Sequence, residues 1–245
     1  VEDFYILRLI EMKRVLKETG SIYLQMDTLI NHWIRLIMDD IFGYNNFINE
    51  IIWCYKRSIS KSKVGLIKSH NNIYHYSKNK NNVCYNDISY DANPTTVKRW
   101  IKYAEPNGDL KVKFRKDKNS KSFMSKSKKD DDDIIGNIYN SNPIDWWEIL
   151  IVARGGNPEM KYGKYPTQKP EKLLERIILA SSNENDIVLD CFLGSGTSMV
   201  VAKKNNRKWI GCDINPKSIE LTNLRLNDIE DKSKEIEHKN RLFEF

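Results

Sequence analysis

Cysteine and histidine are scarce, four of each among 245 residues. Cys54, Cys84, Cys191 and Cys212 form no C-x-x-C pair, and none has a histidine at metal-ligand spacing. This argues against structural zinc and a disulfide framework, predicts no metal site, and fits a reducing cytoplasm. Long apolar runs are missing too. None approaches the roughly 20 residues of a bilayer-spanning helix, and no charged-then-apolar leader opens the chain, so a soluble cytoplasmic protein with no membrane partner is expected. No Gly-Lys-Ser/Thr follows a glycine turn, which sets phosphate-loop chemistry aside.

What is present is a core and an excess of positive charge. Hydrophobic residues make up 40% of the chain, enough for one large α/β domain or a core carrying an inserted module. The formal net charge is +7, and it is unevenly distributed. Lys56, Arg57, Lys61, Lys63 and Lys68 crowd one stretch; Lys98, Arg99, Lys102, Lys111, Lys113, Arg115, Lys116 and Lys118 crowd another. Tyr55, Trp100, Tyr103 and Phe114 are interleaved among them, as on a nucleic-acid-binding surface. The same lysines are also compatible with ordinary solvated loops.

Periodicity organises the two ends of the chain. Phe4, Leu7, Ile10, Met12, Val15 and Leu16 predict an opening helix that stops by Gly20. A short strand follows over 21–27, then a helix over about 28–41, and two strands over 48–55 and 72–76 joined by the first basic loop. From about Lys78 to Gly136 the periodicity weakens, and 118–133 is low in complexity and ends in the acidic tract Asp130 to Asp133. This region is expected to be an inserted, partly disordered module. Order returns at Asp145-Trp146-Trp147-Glu148-Ile149. The last hundred residues predict a helix from Pro170, a strand over 187–190 and a helix over 197–204. A strand over 208–213, a helix over 216–228 and a frayed charged tail from Asp231 complete them. Strands alternating with helices in this way call for a parallel sheet.

The sharpest local signal follows the strand ending at Asp190: Cys191-Phe192-Leu193-Gly194-Ser195-Gly196-Thr197. Glycines there let backbone pass close beneath a ligand, and the next helix presents its N–H groups. One β-α-β unit later Asp213 ends a strand, where a carboxylate can accept both hydroxyls of a ribose. A structural turn would use glycine equally well, so the turn alone leaves a nucleotide site and a plain turn both open. The third glycine of the nicotinamide fingerprint is missing.

Upstream stands Tyr165-Pro166-Thr167-Gln168-Lys169-Pro170. Together with Asp190-x-Phe192-x-Gly-Ser-Gly-Thr197 and Asp213, it resembles the DNA adenine-N6 and cytosine-N4 amino-methyltransferases of permuted motif order. The segments 41–53 and 70–77 are also similar to that family. The resemblance implies an α/β fold, the Rossmann-like class I methyltransferase three-layer sandwich, with an inserted recognition region. It divides the chain into the remainder of a catalytic half (1–80), a target-recognition insert (81–144) and an S-adenosylmethionine-binding half (145–245). It further implies that Thr167, Gln168 and Lys169 hold the methionine end of the cofactor. Asp190, Phe192, Gly194, Ser195, Gly196 and Thr197 would surround its middle, and Asp213 would take the ribose. From the two basic clusters, the expected DNA contacts are Lys56, Arg57, Lys61, Lys63, Lys98, Arg99, Lys113 and Arg115. Asp27, at a strand end, is the one candidate near the target pocket. Trp53 and His70 read as structural residues.

Two departures from the family pattern stand out. Cys191 occupies a position where proline is usual, and no Asp/Asn/Ser-Pro-Pro-aromatic tetrapeptide occurs anywhere in the sequence. That motif would lie upstream of the first helix, so the expectation is a chain truncated there, with the sheet incomplete on its N-terminal side. The implied activity is methyl transfer from S-adenosylmethionine to an exocyclic amine of a base extruded from double-stranded DNA, within a restriction-modification system. A partner subunit or a homodimer belongs to that reading. The alternative is a non-catalytic remnant that binds cofactor or DNA, and the chain alone is expected to be inactive.

Overall fold

The computed structural model describes residues 2–55, 64–88, 90–91, 109–116, 122–126, 134–137, 140–141, 144–152, 157–163 and 165–242. The chain divides into two compact units, Val1–Asn86 with Asp145–Phe245, and Asp87–Ile144. The first boundary falls beyond residue 80 because Asn86 is tied into the larger unit. Its amide donates to Ala180 O (2.7 Å), and its side-chain Nδ2 donates to Leu179 O and Ser182 O (both 2.9 Å).

The larger unit opens with helix α1 (Glu2–Val15), strand β1 (Ser21–Met26) and helix α2 (Asn31–Phe42), then strands β2 (Phe47–Cys54) and β3 (His70–Ser77). Strand β3 lies between β1 and β2, antiparallel to both. Alternation along these strands sends side chains to two faces. On one face Leu24, Met26, Tyr74 and Tyr76 pack with Leu9 of α1 and with Ile34, Met38 and Phe42 of α2. On the other face Ile51, Trp53 and Ile73 pack with Trp147, Ile149 and Leu173. Helix, sheet and helix therefore form three layers. Each fully buried side chain such as Phe42 or Met38 contributes about 1.5–3 kcal/mol to that packing. Trp53 is core, 2% exposed, with its indole N–H donating to Ile149 O at 2.8 Å.

The smaller unit contains β4 (Tyr90–Asp91), β5 (Asp109–Lys116), β6 (Ser122–Lys126), β7 (Ile134–Asn137) and β8 (Asn140–Ser141). Antiparallel pairing gives a three-stranded sheet of order β6-β5-β7 and a β4-β8 pair. Weak periodicity had pointed to irregular chain here. The alternation Leu110-Lys111-Val112-Lys113-Phe114-Arg115 is a period-2 strand pattern, hidden by its lysine content.

Back in the larger unit, β9 (Trp146–Glu148) adds in parallel to β2. Helix α3 (Glu171–Ser181), β10 (Ile187–Asp190), α4 (Thr197–Lys204), β11 (Lys208–Gly211) and α5 (Pro216–Leu242) complete it. Strands β10 and β11 are parallel, with Asp190 opposite Gly211. Leu174 of α3 packs both on the β2–β3 face and against the cluster of Ile178, Val201 and Ala202, on which Val188 of β10 also packs, and this couples the two parts. Helix α5 runs on through the charged residues from Asp231, where the sequence predicts a frayed tail, to Leu242. Residues 217–242 contain no glycine or proline to stop it, and Glu, Lys and Leu favour its continuation. No described helix is long and apolar enough to cross a membrane.

Candidate functional site

Strand β10 ends in a turn shaped by its own last residue. Asp190 Oδ1 accepts the Phe192 amide (2.9 Å), and Oδ2 accepts the Ser198 hydroxyl (2.5 Å). Asp190 therefore spends both oxygens on the loop and on the first turn of α4. Gly194 and Gly196 carry φ of +54° and +72°, left-handed backbone that strongly favours glycine. Gly196 is doubly constrained, because a Cβ there would lie 2.2 Å from Thr222 Oγ1.

Asp213 is fixed where the ribose acid was expected. Its Oδ2 accepts the Gly194 amide (2.8 Å) and its Oδ1 accepts the Asn215 amide (2.9 Å). The loop after β10 and the loop after β11 are thus joined through one half-buried carboxylate, which retains lone pairs for a ligand.

The segment before α3 is drawn to the same place. Thr197 Oγ1 donates to Lys169 O at 3.2 Å, and the Tyr165 hydroxyl meets Ser218 Oγ at 3.1 Å. Gln168 Nε2 donates to Glu159 O (2.8 Å), while its buried Oε1 has no hydrogen-bond partner among the described residues. The Lys169 ammonium folds back on Thr167 O (2.7 Å). Burial holds it below the usual lysine range, partly offset by the nearby Asp190 charge. Glu159 accepts the Glu171 amide at the start of α3, and burial raises its carboxyl above the ordinary range against that bond.

A cavity of about 490 Å³ opens beside these residues. Its lining includes Lys169, Asp190, Cys191, Phe192 and Ser198 together with residues of both β1 and β10. Phe192 is 43% exposed and its ring lies 6.2 Å from that of Phe4. Of the expected cofactor residues, Asp190 is bonded to Phe192, Gly194 to Asp213, Lys169 to Thr197, and Ser195 to Thr197 through their hydroxyls (3.1 Å), while Gln168 is bonded to Glu159 and Gly196 lies in the same turn. Thr167 is exposed.

Asp27 stands apart. It is exposed, accepts the Leu29 amide (2.9 Å), pairs with Lys68 at 3.6 Å and does not border the cavity. Lys56, Arg57, Lys61, Lys63, Lys98 and Arg99 lie outside the described residues. Lys113 and Arg115 lie on β5, where only the backbone is described. No cluster of His, Cys, Asp or Glu among the described residues could hold a metal ion.

Helix α5 supplies residues that motif reading missed. Ser218, Thr222 and Arg225 recur at i, i+4 and i+7, all buried, and form a polar stripe against the loop. The signal was in the sequence, since three polar residues share one helical face, but nothing marked that face as buried.

A strand–glycine loop–helix–strand unit closed by an acid, beside a sheet layered between helices, is the plan of a class I methyltransferase. M1.HpyAVI in complex with S-adenosylmethionine shares the fold, with a TM-score of 0.54 over 92% of this chain and 83% of that one at 20% identity. Among sequences, the family described as DNA methylase matches residues 2–224, and the chain belongs to that family. It is 34% identical over 217 residues to the type II methyltransferase M.HpaI of Haemophilus parainfluenzae, covering 89% of this chain and 56% of that protein. It is 31% identical over 232 residues to the DNA adenine methyltransferase YhdJ of Escherichia coli, covering 92% and 68%. The chain thus spans little more than half the length of M.HpaI.

Proposed function

We propose that the protein is a site-specific, S-adenosylmethionine-dependent DNA methyltransferase acting on the exocyclic amine of adenine (N6) or cytosine (N4). The observation that carries this reading is the joint anchoring of Asp213, the Gly194–Gly196 turn and the Thr167–Lys169 segment in one bonded assembly. The residues present fit the cofactor. The Asp213 carboxylate suits ribose hydroxyls, positive-φ glycines allow close backbone approach, and the unpartnered Gln168 Oε1 can accept from an ammonium group. S-adenosylmethionine brings the transferable methyl group; the chain's own residues bind and orient it, and positioning is the main lever for such a reaction.

Double-stranded DNA is the substrate of this reading, and a restriction-modification system in the cytoplasm its setting, with a partner subunit or a second copy completing the assembly. The basic residues at 56–63, 98–99, 113 and 115 would neutralise phosphates, so binding should weaken steeply with salt. No Pro-Pro dipeptide occurs in the sequence, so the aromatic turn that would orient an amine is not supplied by these 245 residues. The test is calorimetry with S-adenosylmethionine, followed by incubation with tritiated cofactor and DNA. The expected outcome is cofactor binding without label in DNA by this chain alone. Failure to bind S-adenosylmethionine would overturn the assignment, and robust labelling would place the amine acceptors among residues already present.

A further inference from the structure

Arg225 is buried, with its side chain 5% exposed, although arginine carries a permanent charge. Its guanidinium makes three bonds to two different parts of the site. Nη1 donates to Ser195 O (2.8 Å) and to Thr197 Oγ1 (3.1 Å), and Nη2 donates to Glu171 Oε1 (3.0 Å). Thr197 Oγ1 gives its one proton to Lys169 O (3.2 Å), so Ser195 Oγ is the donor in its 3.1 Å contact with Thr197. Arg225, Thr197 and Lys169 therefore form a relay from α5, through the start of α4, to the segment ahead of α3. Glu171, one residue after Pro170, closes the ring from the other side and is itself paired with Lys204.

A buried ion pair is a poor device for stability alone, because hydrophobic replacements of similar volume are often neutral or stabilising. A planar, five-donor fork does what an apolar residue cannot, fixing a carbonyl, a hydroxyl and a carboxylate at once. The Asp213 carboxylate is held by the Gly194 and Asn215 amides and makes no direct bond to Arg225.

We propose that Arg225 is a positioning residue for the amino-acid end of S-adenosylmethionine. It holds the Ser195–Thr197 end of the turn and the Thr167–Lys169 segment in mutual register, while the bonds that Asp213 makes to Gly194 and Asn215 position the nucleoside end. This rests on the cofactor assignment made above.

The test compares two ligands on the folded protein by calorimetry: S-adenosylmethionine, and 5′-methylthioadenosine, which keeps the nucleoside and sulfur but lacks the amino-acid part. In the paired variant Arg225→Met with Glu171→Leu, both charges leave together. The expected result is a rise of tenfold or more in the Kd for S-adenosylmethionine, with the Kd for methylthioadenosine within twofold and the Tm unchanged or higher. If that variant does not fold, Arg225→Lys serves, since a point charge cannot span the three acceptors; a rise of threefold or more for S-adenosylmethionine alone is expected. Equal losses for the two ligands, or unchanged affinity for both, would overturn the role while leaving the cofactor assignment standing. A wild-type chain that binds neither ligand would overturn both.

Discussion

The two parts of the larger unit are held together by different forces. Around β1, β3 and β2 the structure is a matter of apolar area: Leu9, Ile34, Met38, Phe42, Tyr76 and Trp53 are all at or below 2% exposure. Around β10 and β11 the apolar packing is one-sided. Met199, Val200, Val201 and Ala202 of α4 are at or below 2% exposure, whereas Ile187, Leu189 and Ile210 are 54%, 44% and 55% exposed. The loops above the strands are ordered by side chains bonded to backbone. Burial is non-directional and fixes a fold; hydrogen bonds are directional and fix where a carboxylate or a carbonyl sits. The contrast teaches that stability and site geometry reside in separable places, and it can be broken by substitution.

The largest effect should come from the apolar part. Phe42→Ala is expected to cost about 3–5 kcal/mol in a denaturant titration, because the cavity left behind collapses only partly. Cofactor affinity per folded molecule should change less than twofold. A large loss of affinity in the folded fraction would show that the two parts are not separable.

Acid should attack the same part next. His75 stacks on Tyr23 with ring centroids 4.1 Å apart and meets Ser21 Oγ at 3.0 Å. Burial pushes its imidazole down to about 3 from an ordinary value of 6.5. The unfolded chain then binds more protons than the folded one between those values, so stability is full above pH 6.5 and falls as pH drops. The slope should approach about 1.4 kcal/mol per pH unit over pH 4–6. His75→Phe should flatten that window in urea titrations at several pH values; an unchanged slope would remove His75 as its source.

Within the bonded part, Asp213→Ala should weaken S-adenosylmethionine binding by about 1.5–3 kcal/mol, the range for hydrogen bonds to a charged group. Asp213→Asn, which keeps one acceptor, should lose less. A calorimetric affinity equal to wild type in the folded alanine variant would take Asp213 out of the site.

The smallest effect should come from the ion pair that crosses between the parts, Lys17 Nζ to Asp186 Oδ1 at 2.9 Å. The Asn183 amide and then this lysine hold the Asp186 carboxyl below the usual range. Lys17 is largely exposed, so Lys17→Met should cost under about 1 kcal/mol, and less still at high salt. A larger loss would mean that the two parts are welded electrostatically rather than through α3.

Sequence alone carried most of the bonded part, and for a physical reason. A glycine turn between a short strand and a helix, with an acid at the next strand end, is a local device whose residue types are dictated by backbone geometry. Gly194 and Gly196 duly adopt positive φ, and Asp213 ties the two loops. The helices and strands of the apolar part were equally legible from periodicity, to within a few residues at each end. Strand β5 is hard to read from sequence because lysines at alternate positions mask its apolar set, and the length of α5 because its last third is charged rather than amphipathic.

What only the tertiary structure decided is which polar residues are buried and to what they are bound. Ser218, Thr222 and Arg225 look like any solvent-facing stripe until α5 is laid against the loop. Asp190 shapes the turn through the Phe192 amide and the Ser198 hydroxyl, a bonding role that its place at a strand end does not announce. Periodicity and turn chemistry act between neighbours along the chain, so sequence records them. A hydrogen bond between residues 195 and 225 depends on how two elements cross, and no local pattern encodes that crossing.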